Sequence, residues 1–238
     1  MVENNLQTLI DNAIENTVVK LTSDIVVAET TIVSKNITID LNGYTIKNTE
    51  DIWNEDIESW SLISVRNGGI LTLLDSSGAG TGTLFAKEND CFAVDVRNGG
   101  MLIIESGNYI GNISSVYVHT GTAYINGGYY KVQQISGTNG YGETINCYDA
   151  NFKNGTAKVI ISGGSFYNFD PMDAAEPADC SQSYLSKNTK MVYDEESNSD
   201  VVTKREFKIV ATNSDKVDLL GVKDGQLIFV QDKGRFAF

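Results

Sequence analysis

The segment Val65-Arg66-Asn67-Gly68-Gly69 returns 31 residues later as Val96-Arg97-Asn98-Gly99-Gly100. Each copy leads into a short apolar run, then a small or polar turn; past the second copy's turn comes an aromatic residue. The second copy continues as Met101-Leu102-Ile103-Ile104-Glu105-Ser106-Gly107-Asn108-Tyr109, with weaker echoes at Thr122–Tyr130 and Lys158–Phe166. A repeat of this length constrains a chain more than its composition does, because each unit exposes an apolar face that only its neighbour can cover.

Aligning the units sorts the residues into columns. Leu71 and Leu73, Leu102 and Ile104, Ala123 and Ile125, and Val159 and Ile161 take the inward positions, while Thr72, Ile103, Tyr124 and Ile160 point outward. Tyr109, Tyr130 and Phe166 form an aromatic column that reads as core. Asn42-Gly43, after the alternating Ile37, Ile39 and Leu41, supplies a turn in which both residues tolerate positive φ. Matching points lie 31 (Gly69 to Gly100), 21 (Gly107 to Gly128) and 36 (Gly128 to Gly164) residues apart. Constant columns with variable spacing predict an all-β fold, a right-handed parallel β-helix whose loops bulge from one side.

The spacing of Leu6, Leu9, Ile10, Ala13 and Ile14 predicts a short amphipathic helix within residues 1–16 that caps the first rung. The parallel β-helix is expected over 17–171. Residues 172–204 lose the pattern and read as a loop or loosely packed wrap. A small module over 205–238 has strands at Glu206–Val210 and Gly225–Val230, then an Asp232-Lys233-Gly234 hairpin turn.

A formal charge of −13 disfavours nucleic acid and anionic membrane surfaces as partners. Cys91, Cys147 and Cys180 are widely spaced and odd in number, which reads as free thiols in a reducing compartment. The N-terminal residues show neither a basic nor an apolar leader region, so a soluble product made in the cytoplasm is expected. No cofactor is implied.

Two stretches resemble known families. Ile39-Asp40-Leu41-Asn42-Gly43-Tyr44 and Ser162–Pro171 resemble the single-stranded β-helix of phage appendage proteins, and similar stretches occur in surface proteins of gut bacteria. Lys223–Asp232, with its xGxLxFxxD pattern, looks like the short β-module of phage fibres that promotes trimerisation and docking to the virion. The resemblance implies a non-catalytic virion subunit, such as a head fibre, capsid decoration or tail appendage. It would be homo-oligomeric, with a trimer favoured, partnered by capsid or tail proteins, and able to contact host-surface glycan. Leu227, Phe229, Phe236 and Phe238 are then the candidate oligomerisation or attachment residues. The alternatives are a tailspike that binds or depolymerises polysaccharide, and a bacterial surface adhesin.

Among chemical sites, Asp40, Asp75, Asp95 and Glu105 sit near strand ends, but their column neighbours are not a second acid, as a glycosidase requires. Arg66 and Arg97 stack in adjacent rungs and read as solvated arginines paired with carboxylates. His119, the single histidine, excludes a histidine-pair zinc site and reads as a turn residue. No acidic run has calcium-loop spacing. The strongest binding candidate is the insertion from Asn48 to Trp60, which carries both tryptophans, Trp53 and Trp60, beside Glu55 and Asp56. Indole faces stack on sugar rings while carboxylates accept hydroxyl hydrogen bonds.

Overall fold

The computed structural model describes residues 5–87, 90–134, 143–172 and 183–205, and the strand backbones at 207–211, 227–232 and 235–237. After helix α1 (Leu6–Asn12) the chain makes repeated circuits of three strands each. The first circuit is β1 (Val18–Lys20), β2 (Ile25–Val27) and β3 (Thr31–Val33). The second is β4 (Asn36–Asp40), β5 (Thr45–Asn48) and β6 (Ser61–Val65). The third is β7 (Ile70–Leu74), β8 (Thr83–Phe85) and β9 (Phe92–Val96). The fourth is β10 (Gly100–Ile104), β11 (Asn108–Gly111) and β12 (Ser114–Val118). The fifth is β13 (Gly121–Ile125), β14 (Tyr129–Val132) and β15 (Ile145–Cys147). A short helix, α2 (Asp149–Asn154), then leads to β16 (Ala157–Ile161) and β17 (Gly164–Tyr167).

Each circuit adds one strand to each of three parallel sheets. The first runs β1-β4-β7-β10-β13-β16, the second takes β2-β5-β8-β11-β14-β17, and the third is β3-β6-β9-β12-β15. The register reproduces the columns read from the repeat. Leu102 pairs with Leu71 on one side and Ala123 on the other, and Ala123 pairs in turn with Val159. These four side chains, with Ile37 and Ile39, are buried. In the second sheet Tyr109 pairs with Tyr130 and Tyr130 with Phe166. All three rings are fully buried and stacked nearly parallel.

The corners explain the Asn-Gly-Gly repeat. Asn67 and Gly68, and likewise Asn98 and Gly99, hold positive φ, which an asparagine–glycine pair adopts at little cost. The next glycine serves a different end. A Cβ at Gly100 would lie 2.3 Å from the Val65 carbonyl oxygen at the preceding corner, so only glycine lets the circuits close to hydrogen-bonding distance.

Two acids brace the opposite corners. Asp75 accepts from the backbone N–H groups of Gly43, Ser77 and Gly82 and from the Ser77 hydroxyl. Asp40 accepts from Ser76 N–H and hydroxyl and from Asn42 N–H. Burial opposes ionisation of both carboxyls, but these donors outweigh it and hold them below the ordinary carboxylate value. Because their folded pKa is depressed, they contribute stability that is complete above the unfolded carboxylate range and fades as pH falls through the folded pKa. The melting temperature is therefore expected to decline below about pH 4. Asp75→Asn should cost about 1.5 kcal/mol at neutral pH and flatten part of that acid decline. Thermal scans of both proteins across pH check it; parallel acid profiles would refute it.

Two sequence expectations are revised. The N-terminal helix stops at Asn12, where Ala13 turns extended and the Lys35 ammonium takes the Asp11 and Ala13 carbonyls. Leu6 and Ile10 are buried, but Leu9 is partly exposed and Ile14 lies outside the helix in solvent. The helix packs on β3, where the Gln7 side-chain amide exchanges hydrogen bonds with Ile32 N–H and C=O, as a neighbouring strand would. Residues 172–204 are not only a wrap. β18 (Thr189–Asp194) and β19 (Ser199–Lys204) form an antiparallel hairpin, and β19 pairs antiparallel with β17, ending the parallel stack of the second sheet. At the C-terminus β20 (Phe207–Ala211) pairs parallel with β21 (Leu227–Asp232), which pairs antiparallel with β22 (Arg235–Ala237). Leu227 and Phe229 fall on β21 and Phe236 on β22, while Phe238 lies outside the described residues. No helix among the described residues is long and apolar enough to cross a membrane.

Cys91 and Cys147 are free and buried, and burial pushes both thiols up to about 12. At that value they are poor nucleophiles near neutrality. Cys180 lies outside the described residues.

Candidate functional site: an aromatic cleft on the third sheet

The insertion between β5 and β6 folds into a fixed lobe. Asn48 donates to the Glu50 carbonyl and accepts from Lys87 N–H. Ile52 is buried as its apolar plug. Asp51 accepts from Trp53 N–H, Asn54 accepts from Asp56 N–H, and a bridge joins Asn54 to Ser59. Arg66, only 6% exposed, donates from Nη1 to the Ile57 carbonyl at 3.0 Å and from Nε and Nη2 to Ser64 Oγ. The first arginine of the repeat is thus a buried tether of the lobe, where a solvated arginine was expected.

The second arginine faces a cleft. Trp53, Glu55, Glu58, Trp60, Phe92, Arg97, Tyr117, His119 and Tyr148 enclose about 620 Å³ between the lobe and the outer face of the third sheet. The indoles of Trp53 and Trp60 lie 4.4 Å apart at 47°. On the sheet side, Phe92 stacks on Tyr117 at 4.9 Å, and His119 stacks on Tyr148 at 4.9 Å. Register places them there: Val96 pairs with Val118 and Val118 with Cys147, so the next residues, Arg97, His119 and Tyr148, occupy successive circuits. Helix α2 fixes the far end, because Tyr148 is its N-cap residue and Asn151 donates to the His119 carbonyl at 2.7 Å.

Beneath the cleft Asp95 is fully buried. Its Oδ2 accepts from Arg97 Nε at 2.7 Å and from Ser59 Oγ at 3.0 Å. One carboxylate therefore joins lobe to sheet and aims the Arg97 guanidinium, which also lies 5.7 Å from the Tyr117 ring centre. His119 is held below its ordinary value by burial first and by Arg97 second, against Glu58 and Asp95. Its cationic form is thereby disfavoured.

Of the residues singled out in the sequence, Trp53, Trp60 and Glu55 line the cleft, whereas Asp56 does not and Glu58 stands in its place. The sequence reading missed Phe92, Arg97, Tyr117, His119 and Tyr148. A signal was available for some of them. Once Val96 is aligned with Val118, the alternation of the third sheet puts Asp95 and Tyr117, and Arg97 and His119, on one outer face.

No family model, curated protein or solved structure matches this chain. The residues of the cleft therefore carry the binding reading. Among the described residues no three His, Cys, Asp or Glu side chains converge as a metal site would require.

Proposed function

We propose that the chain is a right-handed parallel β-helix that serves as a non-catalytic, glycan-binding appendage subunit, such as a virion head fibre, decoration or tail protein. The handedness follows from the strong preference of parallel crossover connections for one hand. The virion setting rests on the resemblance of the β-helix segments and of Lys223–Asp232 to phage appendage proteins. In that setting the C-terminal module, with Leu227, Phe229, Phe236 and Phe238, makes the homo-oligomeric contact, a trimer being favoured, or docks on capsid or tail proteins.

One observation carries the binding reading: aromatic rings from three circuits and one inserted lobe converge on a single open cleft. Trp53 is 41% exposed and Tyr148 47% exposed, an arrangement that leaves ring faces free to stack on sugar rings. Glu55 and Glu58 are placed to accept hydroxyl hydrogen bonds. The same two carboxylates favour a second reading, a glycan-depolymerising tailspike.

Both tryptophans of the chain lie at the cleft, so selectively excited tryptophan emission reports on it. Titration with oligosaccharides is expected to change tryptophan emission with a Kd in the micromolar to millimolar range. Trp53→Ala should weaken binding about tenfold or more, the loss of one stacking platform. Reducing-end assays on the same oligosaccharides should stay flat. Steady product release that is lost in Glu55→Gln or Glu58→Gln would establish the depolymerase instead. A silent titration across neutral, basic and acidic glycans would end the glycan reading.

A further inference from the structure

We infer that the cleft selects glycans carrying a cationic amine, in the manner of a protonated hexosamine, over neutral and acidic sugars. This rests on the glycan-binding reading and adds the charge of the ligand to it. The charged groups around the cleft are Glu55, Glu58 and Arg97 on its walls, with Asp95 and Arg66 behind them. Three carboxylates thus face two guanidiniums, and both guanidiniums are already engaged. Arg97 is bound to Asp95, and Arg66 is buried on Ser64 and the Ile57 carbonyl. Burial and Arg97 disfavour the cationic form of His119, against Glu58 and Asp95. Glu55 and Glu58, which line the same cleft as Trp53 and Trp60, are in neither ion pair among the described residues, although Glu58 lies in the field of Arg66 and His119.

A carboxylate next to open aromatic faces is the chemistry that holds an ammonium group: the ring quadrupole attracts the cation while the acid neutralises it. Tyr117 already has a cation at its ring in Arg97, at 5.7 Å. At the tryptophan end of the cleft no cation from the described residues lies over the Trp53 or Trp60 ring. A uronate or sialate would instead meet Glu55 and Glu58 and the field of a chain with net charge −13.

The test uses the full chain and three trisaccharides, read by tryptophan fluorescence at about pH 6, where the sugar amine is protonated. They are glucosamine trimer, N-acetylglucosamine trimer and galacturonate trimer. The glucosamine trimer is expected to bind about fivefold to tenfold tighter than its acetylated counterpart. That margin should shrink between 20 mM and 500 mM salt. It should also shrink toward unity in Glu55→Gln and Glu58→Gln. The salt titration needs no variant, so it decides the matter even if a substitution disturbs the lobe. Equal or tighter binding of the acetylated trimer overturns the cationic selectivity while leaving the glycan reading intact. Tighter binding of the galacturonate trimer overturns it in the same way. Silence with all three, and with neutral hexose oligomers, overturns both.

Discussion

Tyr130→Ala is expected to destabilise the fold by about 3–5 kcal/mol. The Tyr130 ring is fully buried between Tyr109, at 5.3 Å and 15°, and Phe166, at 4.9 Å and 10°. Its hydroxyl returns 2.6 Å to the Gly127 carbonyl, and Tyr109 does the same to Ser106. Removing the middle ring takes a stacking partner from both neighbours at once. The hole cannot close, because strand spacing along the stack is set by backbone hydrogen bonds at about 4.8 Å. Tyr130→Phe keeps the ring and loses the hydroxyl contact, so a cost of about 1–2 kcal/mol is expected. Denaturant titration of the two variants separates packing from hydrogen bonding. If alanine and phenylalanine cost the same, the stack contributes nothing beyond the hydroxyl bond.

That column was legible in the sequence for a physical reason. Tyr109, Tyr130 and Phe166 repeat because each covers the next, and a repeat that buries itself must write like residues at like positions. The Leu102, Ala123 and Val159 column was readable on the same ground. The cleft obeys a different rule. Phe92, Tyr117, His119 and Tyr148 face outward, where no packing requirement makes successive circuits alike, so each position carries a different residue and no column shows. The repeat did point to the place. Arg66 and Arg97 occupy equivalent corners, yet one is buried as a tether and the other lines the cleft. An aligned pair tells which residues share a position, but the lobe that covers one of them is an insertion, and insertions break the alignment that would place them. The β18–β19 hairpin was missed for a related reason: it pairs antiparallel and at the end of the stack, so it repeats nothing. Helix α2, six residues long, is too short to show a helical period.

Asp95→Ala is expected to cost about 3–5 kcal/mol and to abolish binding at the cleft together. Asp95 is fully buried, and its carboxylate receives the Arg97 guanidinium and the Ser59 hydroxyl. Arg66, one circuit away, is nearly buried as well and feels the same negative charge. Deleting the carboxylate removes the anion that binds Arg97 and acts most strongly on Arg66, leaving Arg66 only the weaker pull of Glu58, and Arg66 cannot turn to solvent without dropping the Ile57 carbonyl. The lobe then loses its Ser59 and Arg66 anchors in sequence, and Trp53 and Trp60 leave their places opposite Tyr117 and Tyr148. Asp95→Asn keeps the shape but not the charge, and should fall between Asp95→Ala and the parent in both stability and affinity. The cause is separable by pairing the substitutions. In Arg66→Met/Asp95→Ala one of the two unpaired charges is gone, so the double variant should be more stable than the sum of the single losses by more than about 1 kcal/mol. Binding should stay lost in it, because the lobe has no tether to recover. Strict additivity would mean that Asp95 acts through Arg97 and Ser59 alone. Recovered binding would mean that the lobe holds its place without either anchor, and that the cleft is shaped by Ile52 and the Asn54–Ser59 bridge instead.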